Sequence, residues 1–208
     1  MSLKWWCNYL VEKMVTREEA EPDNIMVTKL CRVEQLHPDN DWQLSFHLSR
    51  LKGLSVQIKS FNFKLMHQIL PYKERLSHIL RNTNPMCTLC TSQEPETLIH
   101  CFFQCDKNNQ AGEALLELTR VYDKDITKEK ALLLNINTES LYELPSTLIL
   151  CTGLEFIWRS RQDKKAATLY KTRAELECLI SLLRRSRVRV LKEAGEMVLN
   201  TITNFPMF

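Results

Sequence analysis

The chain has 208 residues and a mass of 24.5 kDa, with 44% apolar residues, 25% charged residues and a formal net charge of +3. This is ordinary composition for one globular domain or two small ones, and it lacks the strong basicity of a dedicated nucleic-acid-binding domain. Only four Gly occur, which excludes an all-β chain full of tight turns and any Gly-rich phosphate cradle, so helices are expected to dominate.

Leu3, Trp6, Leu10 and Met14 recur at helical spacing, and the stretch from Glu18 to Asn24, with Pro22, reads as a polar linker. A second helix is predicted from Asp41 to Lys52, ending at Gly53. Ser55 is placed to cap a third, along which Ile58, Phe61, Leu65, Ile69 and Leu70 form one stripe up to Pro71. A short helix follows from Arg75 to Leu80. Pro95, between Glu94 and Glu96, predicts the next start, because Pro suits a first turn and acids suit the positive end of the helix dipole. Beyond it, helices are expected from Ala111 to Tyr122, from Thr147 to Arg161, and from Ala166 to about Asn200 as one long C-terminal helix. The chain therefore divides into an N-terminal helical segment (1–54), a metal-binding module (55–110) and a C-terminal helical region (111–208).

Cys87, Cys90, His100 and Cys105 form the pattern C-x2-C-x9-H-x4-C. Two thiolates two residues apart can clasp one tetrahedral ion from a tight turn, and a His and a Cys downstream can close the site. Four protein ligands leave no position for a catalytic water, so Zn2+ here is expected to be structural. The fourth ligand has two candidates. Cys101 lies four residues before Cys105, on the same helical face, whereas His100 lies five before it, about 140° around an α-helix, and needs the helix to tighten or end near Gln104. Phe102 and Phe103 are expected to form core beside the metal. His67 and His78 read as packing or surface residues, and Cys7, Cys31, Cys151 and Cys178 as small buried hydrophobes. Trp5, Trp6, Trp42 and Trp158 read as core anchors.

The run Lys64-Leu65-Met66-His67-Gln68-Ile69-Leu70-Pro71-Tyr72-Lys73-Glu74-Arg75-Leu76, then the Cys pair, then Glu96-Thr97-Leu98-Ile99-His100-Cys101-Phe102-Phe103-Gln104-Cys105, resembles the reverse-transcriptase zinc-binding domain. That family lies after the polymerase in the long reading frame of many non-LTR retrotransposons. The resemblance covers roughly Ser60 to Cys105 and implies His100, not Cys101, as ligand. The tail, from Ile157-Trp158-Arg159 through Arg173-Ala174-Glu175-Leu176-Glu177 to Arg184-Arg185-Ser186-Arg187, resembles the end of such frames more weakly.

No polymerase Tyr-x-Asp-Asp type signature occurs, and no acid-x-Lys set of a restriction-like nuclease follows Cys105; Asp163-Lys164-Lys165 is the nearest approach. The chain is therefore not expected to be an enzyme. Residues 59–81 carry 5 Lys+Arg against 1 acid (+4), residues 82–158 carry 5 against 11 (−6), and residues 159–208 carry 11 against 5 (+6). Two basic islands flank an acidic middle. Lys59, Lys64, Lys73, Arg75, Arg184, Arg185, Arg187 and Arg189 are the candidate phosphate contacts, giving RNA or DNA binding with weak sequence preference. The alternatives are a scaffolding domain with purely structural zinc, docking on a polymerase body or another protein, and a remnant of a metal-dependent nuclease. The start shows no signal peptide, and the longest apolar run, Leu148 to Trp158, is too short to cross a bilayer. No membrane partner is expected, and the thiols are expected to be reduced, in nucleus or cytoplasm.

Overall fold

The computed structural model describes residues 54–136 and 140–205, together with Ser45, all within one compact unit, Asn40–Phe208. The predicted helix near the N-terminus, and Trp5, Trp6, Trp42, Cys7 and Cys31, lie outside the described residues. Of the predicted helix from Asp41 to Lys52, only Ser45 is described, and it is helical and buried.

The chain is mainly helical, with no strand among the described residues. Helix α1 (Val56–Met66) begins where the sequence places it, the Ser55 side chain accepting from Ile58 N at 3.2 Å. It stops at Met66, short of the Ile69-Leu70 end of the predicted stripe, and Gln68, at φ +50°, turns the chain away before Pro71. Helix α2 spans Lys73–Ile79, α3 Asn109–Arg120, α4 Lys128–Leu133, α5 Ser140–Gln162, α6 Leu169–Arg184 and α7 Arg189–Thr203. No described helix is long and apolar enough to cross a membrane.

One hydrophobic cluster runs from Leu54 in front of α1 to Ile202 in α7. Phe102 is fully buried at its middle, its ring 6.2 Å from Phe61 of α1 and 6.2 Å from Trp158 of α5. The aromatic residues expected beside the metal therefore join the segment before the Cys pair to the helices after it. Buried Asn108 adds a polar weld. Its Nδ2 donates to Cys101 O at 3.0 Å, and its Oδ1 accepts from Ala167 N at 3.1 Å, satisfying two buried backbone groups 66 residues apart in sequence.

The expected long C-terminal helix is two antiparallel helices. Helix α6 ends at Arg184, and Ser186 Oγ accepts from Val188 N at 3.1 Å in the turn. The Arg187-Val188-Arg189-Val190 run brings β-branched residues of low helix propensity just where α7 must fold back on α6. Leu191, Ala194 and Val198 of α7 are buried, while Val190 is 61% exposed. Cys178 is also exposed, not buried as expected, because Leu176, Leu179, Ile180 and Leu183 define the inward face of α6 and leave position 178 on the opposite side.

Helix α3 packs closely on the residues that follow His100. A Cβ at Gly112 would lie 2.1 Å from Phe102 O, a backbone atom that cannot give way, whereas a Cβ at Gly195 would meet only Leu183 Cβ at 3.0 Å. Gly112→Ala is expected to cost about 3 kcal/mol, near the upper end of overpacking penalties and despite alanine's better helix propensity. Gly195→Ala is expected to cost clearly less. Urea unfolding of the two variants against wild type measures the difference.

Candidate metal centre

The Cys pair sits in a small loop closed by backbone bonds. Cys87 N donates to Glu94 O at 2.9 Å and Glu96 N to Pro85 O at 2.9 Å, on either side of an isolated Met86–Pro95 bridge. Leu89 N points at Cys87 Sγ at 3.4 Å, and Cys90 Sγ lies 3.0 Å from Ser92 Oγ. Gln93, at φ +53°, turns the chain back.

The other two residues come from a helical turn that starts later than Pro95. Thr97 caps it, its Oγ1 accepting from His100 N at 3.0 Å, and the helix proper begins at Leu98. Pro95 is taken up by the bridge and Glu96 by the interior, so neither starts the helix. From His100 to Gln104 the turn widens to i→i+5 bonding, and Cys105 N donates to His100 O at 2.8 Å. Widening by one residue per turn brings position 105 back beneath position 100, removing the angular mismatch of a regular helix. The helix does end at Gln104, as the sequence requires, but by widening rather than tightening.

In consequence the sulfurs of Cys87, Cys90 and Cys105 and a ring nitrogen of His100 all lie within 4.8 Å of one another. Cys87, His100 and Cys105 are buried and Cys90 is half-buried. His100 Nε2 is 3.3 Å from Cys90 Sγ, and Nδ1 is 3.2 Å from Glu94 Oε2. Cys101 is buried in the hydrophobic cluster and is not part of the group.

Burial pushes the Cys87 thiol up and drives Cys105 to about 12, the neighbouring thiols adding to the second shift. At Cys90 burial pulls the same way but is outweighed by hydrogen bonds from Ser92, Cys87 and His100, and the thiol falls to about 7. Three sulfurs and an imidazole gathered this closely fit a soft divalent cation. Ligands about 2.0–2.3 Å from a tetrahedral centre are roughly 3.5–3.8 Å apart, so the group needs only a small contraction around Zn2+. Among the described residues it is the one group of three or more His, Cys, Asp or Glu placed to hold a metal.

Residues 29–111 match the family model described as zinc-binding in reverse transcriptase. This zinc-binding match encloses the stretch that carries the resemblance, covers less than half of the chain, and stops short of the tail. No curated protein and no solved structure matches the chain.

Glu96 fixes the centre's outer wall. Its buried Oε1 accepts from Lys73 N at 2.8 Å, closing the start of α2, and also receives Arg161 Nη2 from the end of α5. The Arg161 guanidinium lies 4.9 Å from the Trp158 ring, and among the described residues Glu96 Oε2 and Arg161 Nε have no hydrogen-bond partner. Sequence reasoning treated Glu94 and Glu96 as first-turn acids and missed both roles. The available signal was Thr97, a better N-cap residue directly before an apolar pair.

The residues expected to meet phosphate are spread over three places. Lys59 and Lys64 are on α1, Lys73 and Arg75 on α2, and Arg184, Arg185, Arg187 and Arg189 at the α6–α7 turn. Arg184 Nε bonds Glu196 Oε1 at 2.9 Å and Arg189 Nε bonds Glu193 Oε1 at 2.6 Å, while Arg185 and Arg187 are exposed and have no acidic partner among the described residues. Asp163, the acid of the nearest approach to a nuclease set, is paired with Lys165 at 3.6 Å.

Removing one member of the Glu96–Arg161 pair strands a buried charge, so Glu96→Ala is expected to cost about 3–5 kcal/mol. The double variant Glu96→Leu, Arg161→Met should lose much less than the sum of the two single losses, because apolar groups of similar size replace both charges. A double-mutant cycle in urea measures this, and additive losses would show that the pair is not coupled.

Proposed function

We propose that the chain is a non-catalytic module in which Cys87, Cys90, His100 Nε2 and Cys105 hold one structural Zn2+, and whose basic surface grips the backbone of RNA or DNA. The convergence of four donors within 4.8 Å carries the first half of this reading, and the zinc-binding match supports it. The ion, when bound, staples the Cys loop to the widened turn and leaves no ligand position for water. Reduced thiols suit a nuclear or cytoplasmic place of action.

Metal analysis of the purified protein should give one zinc per chain. Cys87→Ser and His100→Ala should lose it, while Cys101→Ala should keep it; the reverse outcome for the last two would overturn the ligand set. Zinc uptake must displace the protons that burial keeps on Cys87 and Cys105, so affinity should rise with pH around neutrality and protons should be released on binding, as calorimetry in buffers of different ionisation heat can measure. With Mg2+ or Mn2+, labelled nucleic acid and nucleotides, neither cleavage nor primer extension is expected.

Support for the second half comes from Arg185 and Arg187, exposed at a sharp helical turn between two further arginines whose acidic partners are themselves at the surface. Phosphate contacts made there, and by Lys59, Lys64, Lys73 and Arg75, release counterions. The logarithm of affinity should therefore fall by roughly 0.7–0.9 per contact with the logarithm of salt. Arg185→Glu with Arg187→Glu should weaken binding to all sequences alike. One observation favours a second reading: Leu182, Val188 and Val190 are 63%, 48% and 61% exposed beside these arginines. Phosphate has no use for them, and a protein partner such as a polymerase body would. If the wild type binds neither RNA nor DNA at low salt, that scaffolding reading takes precedence.

A further inference from the structure

We propose that Glu94 is a positioning residue for the metal centre, fixing the tautomer and ring orientation of His100 so that the Nε2 lone pair faces the three sulfurs. The proposal rests on the zinc reading and adds a residue that neither the ligand spacing nor the family match assigns.

A neutral imidazole carries one N–H, and only its bare nitrogen can bind a metal. Which nitrogen is bare depends on what the other one touches. His100 is almost fully buried, and among the described residues its ring has two hydrogen-bonding contacts, Cys90 Sγ at 3.3 Å from Nε2 and Glu94 Oε2 at 3.2 Å from Nδ1. An ionised carboxylate can only accept, so Nδ1 carries the hydrogen and donates it to Glu94. Nε2 is then bare on the side of the sulfurs. Partners that orient a ligating imidazole in this way typically change metal affinity 10- to 100-fold.

The backbone delivers this carboxylate independently of the side chain. Glu94 O accepts from Cys87 N at 2.9 Å, and Pro95 follows in the bridge to Met86, so position 94 is held beside the first ligand whatever residue stands there. The Glu94 side chain is 59% exposed and packs little against the core. Its removal should therefore leave the fold intact. Exposure also weakens the bond through water, which sets the expected effect at the lower end of the range.

The test compares wild type with Glu94→Ala, Glu94→Gln and Glu129→Ala, the last an exposed acid on α4. Chelator competition measures Zn2+ affinity, and long-range 1H–15N spectra of the zinc-loaded proteins report the His100 tautomer. Glu94→Ala should weaken zinc about 10-fold and leave a His100 Nδ1 resonance no longer shifted by a carboxylate. Glu94→Gln, whose amide oxygen still accepts from Nδ1, should recover most of the affinity, and Glu129→Ala should match wild type. Unchanged affinity and unchanged His100 resonances in Glu94→Ala overturn the proposal while leaving the zinc site standing. Equal loss in Gln and Ala variants with a wild-type His100 spectrum also overturns it, since the loss would then not pass through Nδ1. A wild type that takes up no zinc overturns the zinc reading and this proposal with it, and metal content alone identifies that case.

Discussion

The hydrogen bond from Cys105 N to His100 O, 2.8 Å long and five residues wide, is the constraint on which the centre depends. In a regular helix the residue beneath Cys105 would be Cys101, and His100 would point elsewhere by about 140°. One widened turn exchanges them. It directs His100 toward Cys87 and Cys90 and turns Cys101 into the apolar interior, where burial holds its thiol far above the usual range. The backbone geometry thus brings His100, and not Cys101, to the three sulfurs.

A widened turn is poorly bonded by itself, and its neighbours hold it in place. Thr97 caps the front, Asn108 ties the rear to Ala167, and Gly112 lets α3 approach the Phe102 carbonyl more closely than any side chain would allow. Phe102 then lies between Phe61 and Trp158, while Glu96 reaches both the start of α2 and the end of α5. Apart from the local Thr97 cap, each of these contacts joins the Cys loop or the turn to a more distant segment. The metal centre and the C-terminal helices accordingly share one core, and strain at either is expected to be felt at the other.

Much of this was legible in the sequence, for identifiable reasons. The Cys/His spacing and the Ser55 cap are local signals: the structure brings Cys87, Cys90, His100 and Cys105 together, and Ser55 caps α1. The widened turn was legible only as a misfit, a five-residue step that no regular helix accommodates, and spacing alone does not say whether a helix resolves such a misfit by tightening, ending or widening. Helix α4 and the break before α7 were missed because short amphipathic runs such as Lys128–Leu133 carry little periodicity, and because a hairpin of two helices shows nearly the same apolar stripe as one long helix. Glu94 and Glu96 were misassigned for a deeper reason. An acid near a helix start is common, and only tertiary placement shows that one meets a histidine ring and the other a buried arginine.

Charge shows the same dependence on placement. Counted along the chain, residues 159–208 form a +6 island, but α6 and α7 fold it into a hairpin in which Arg173, Arg184 and Arg189 each face a glutamate and Arg159 faces Glu175. Among the described residues, those without an acidic partner near the turn are Arg185 and Arg187, with Lys192 exposed nearby, set among exposed aliphatic side chains. A linear count therefore overstates how much charge is free to meet a phosphate. It also understates how concentrated that charge is, since Arg185 and Arg187 sit two residues apart on a tight turn whose flanking helices are packed into the core. On the proposed reading, selectivity would come from the shape of this projection and not from the overall net charge of +3, which is too small to draw a polyanion from a distance.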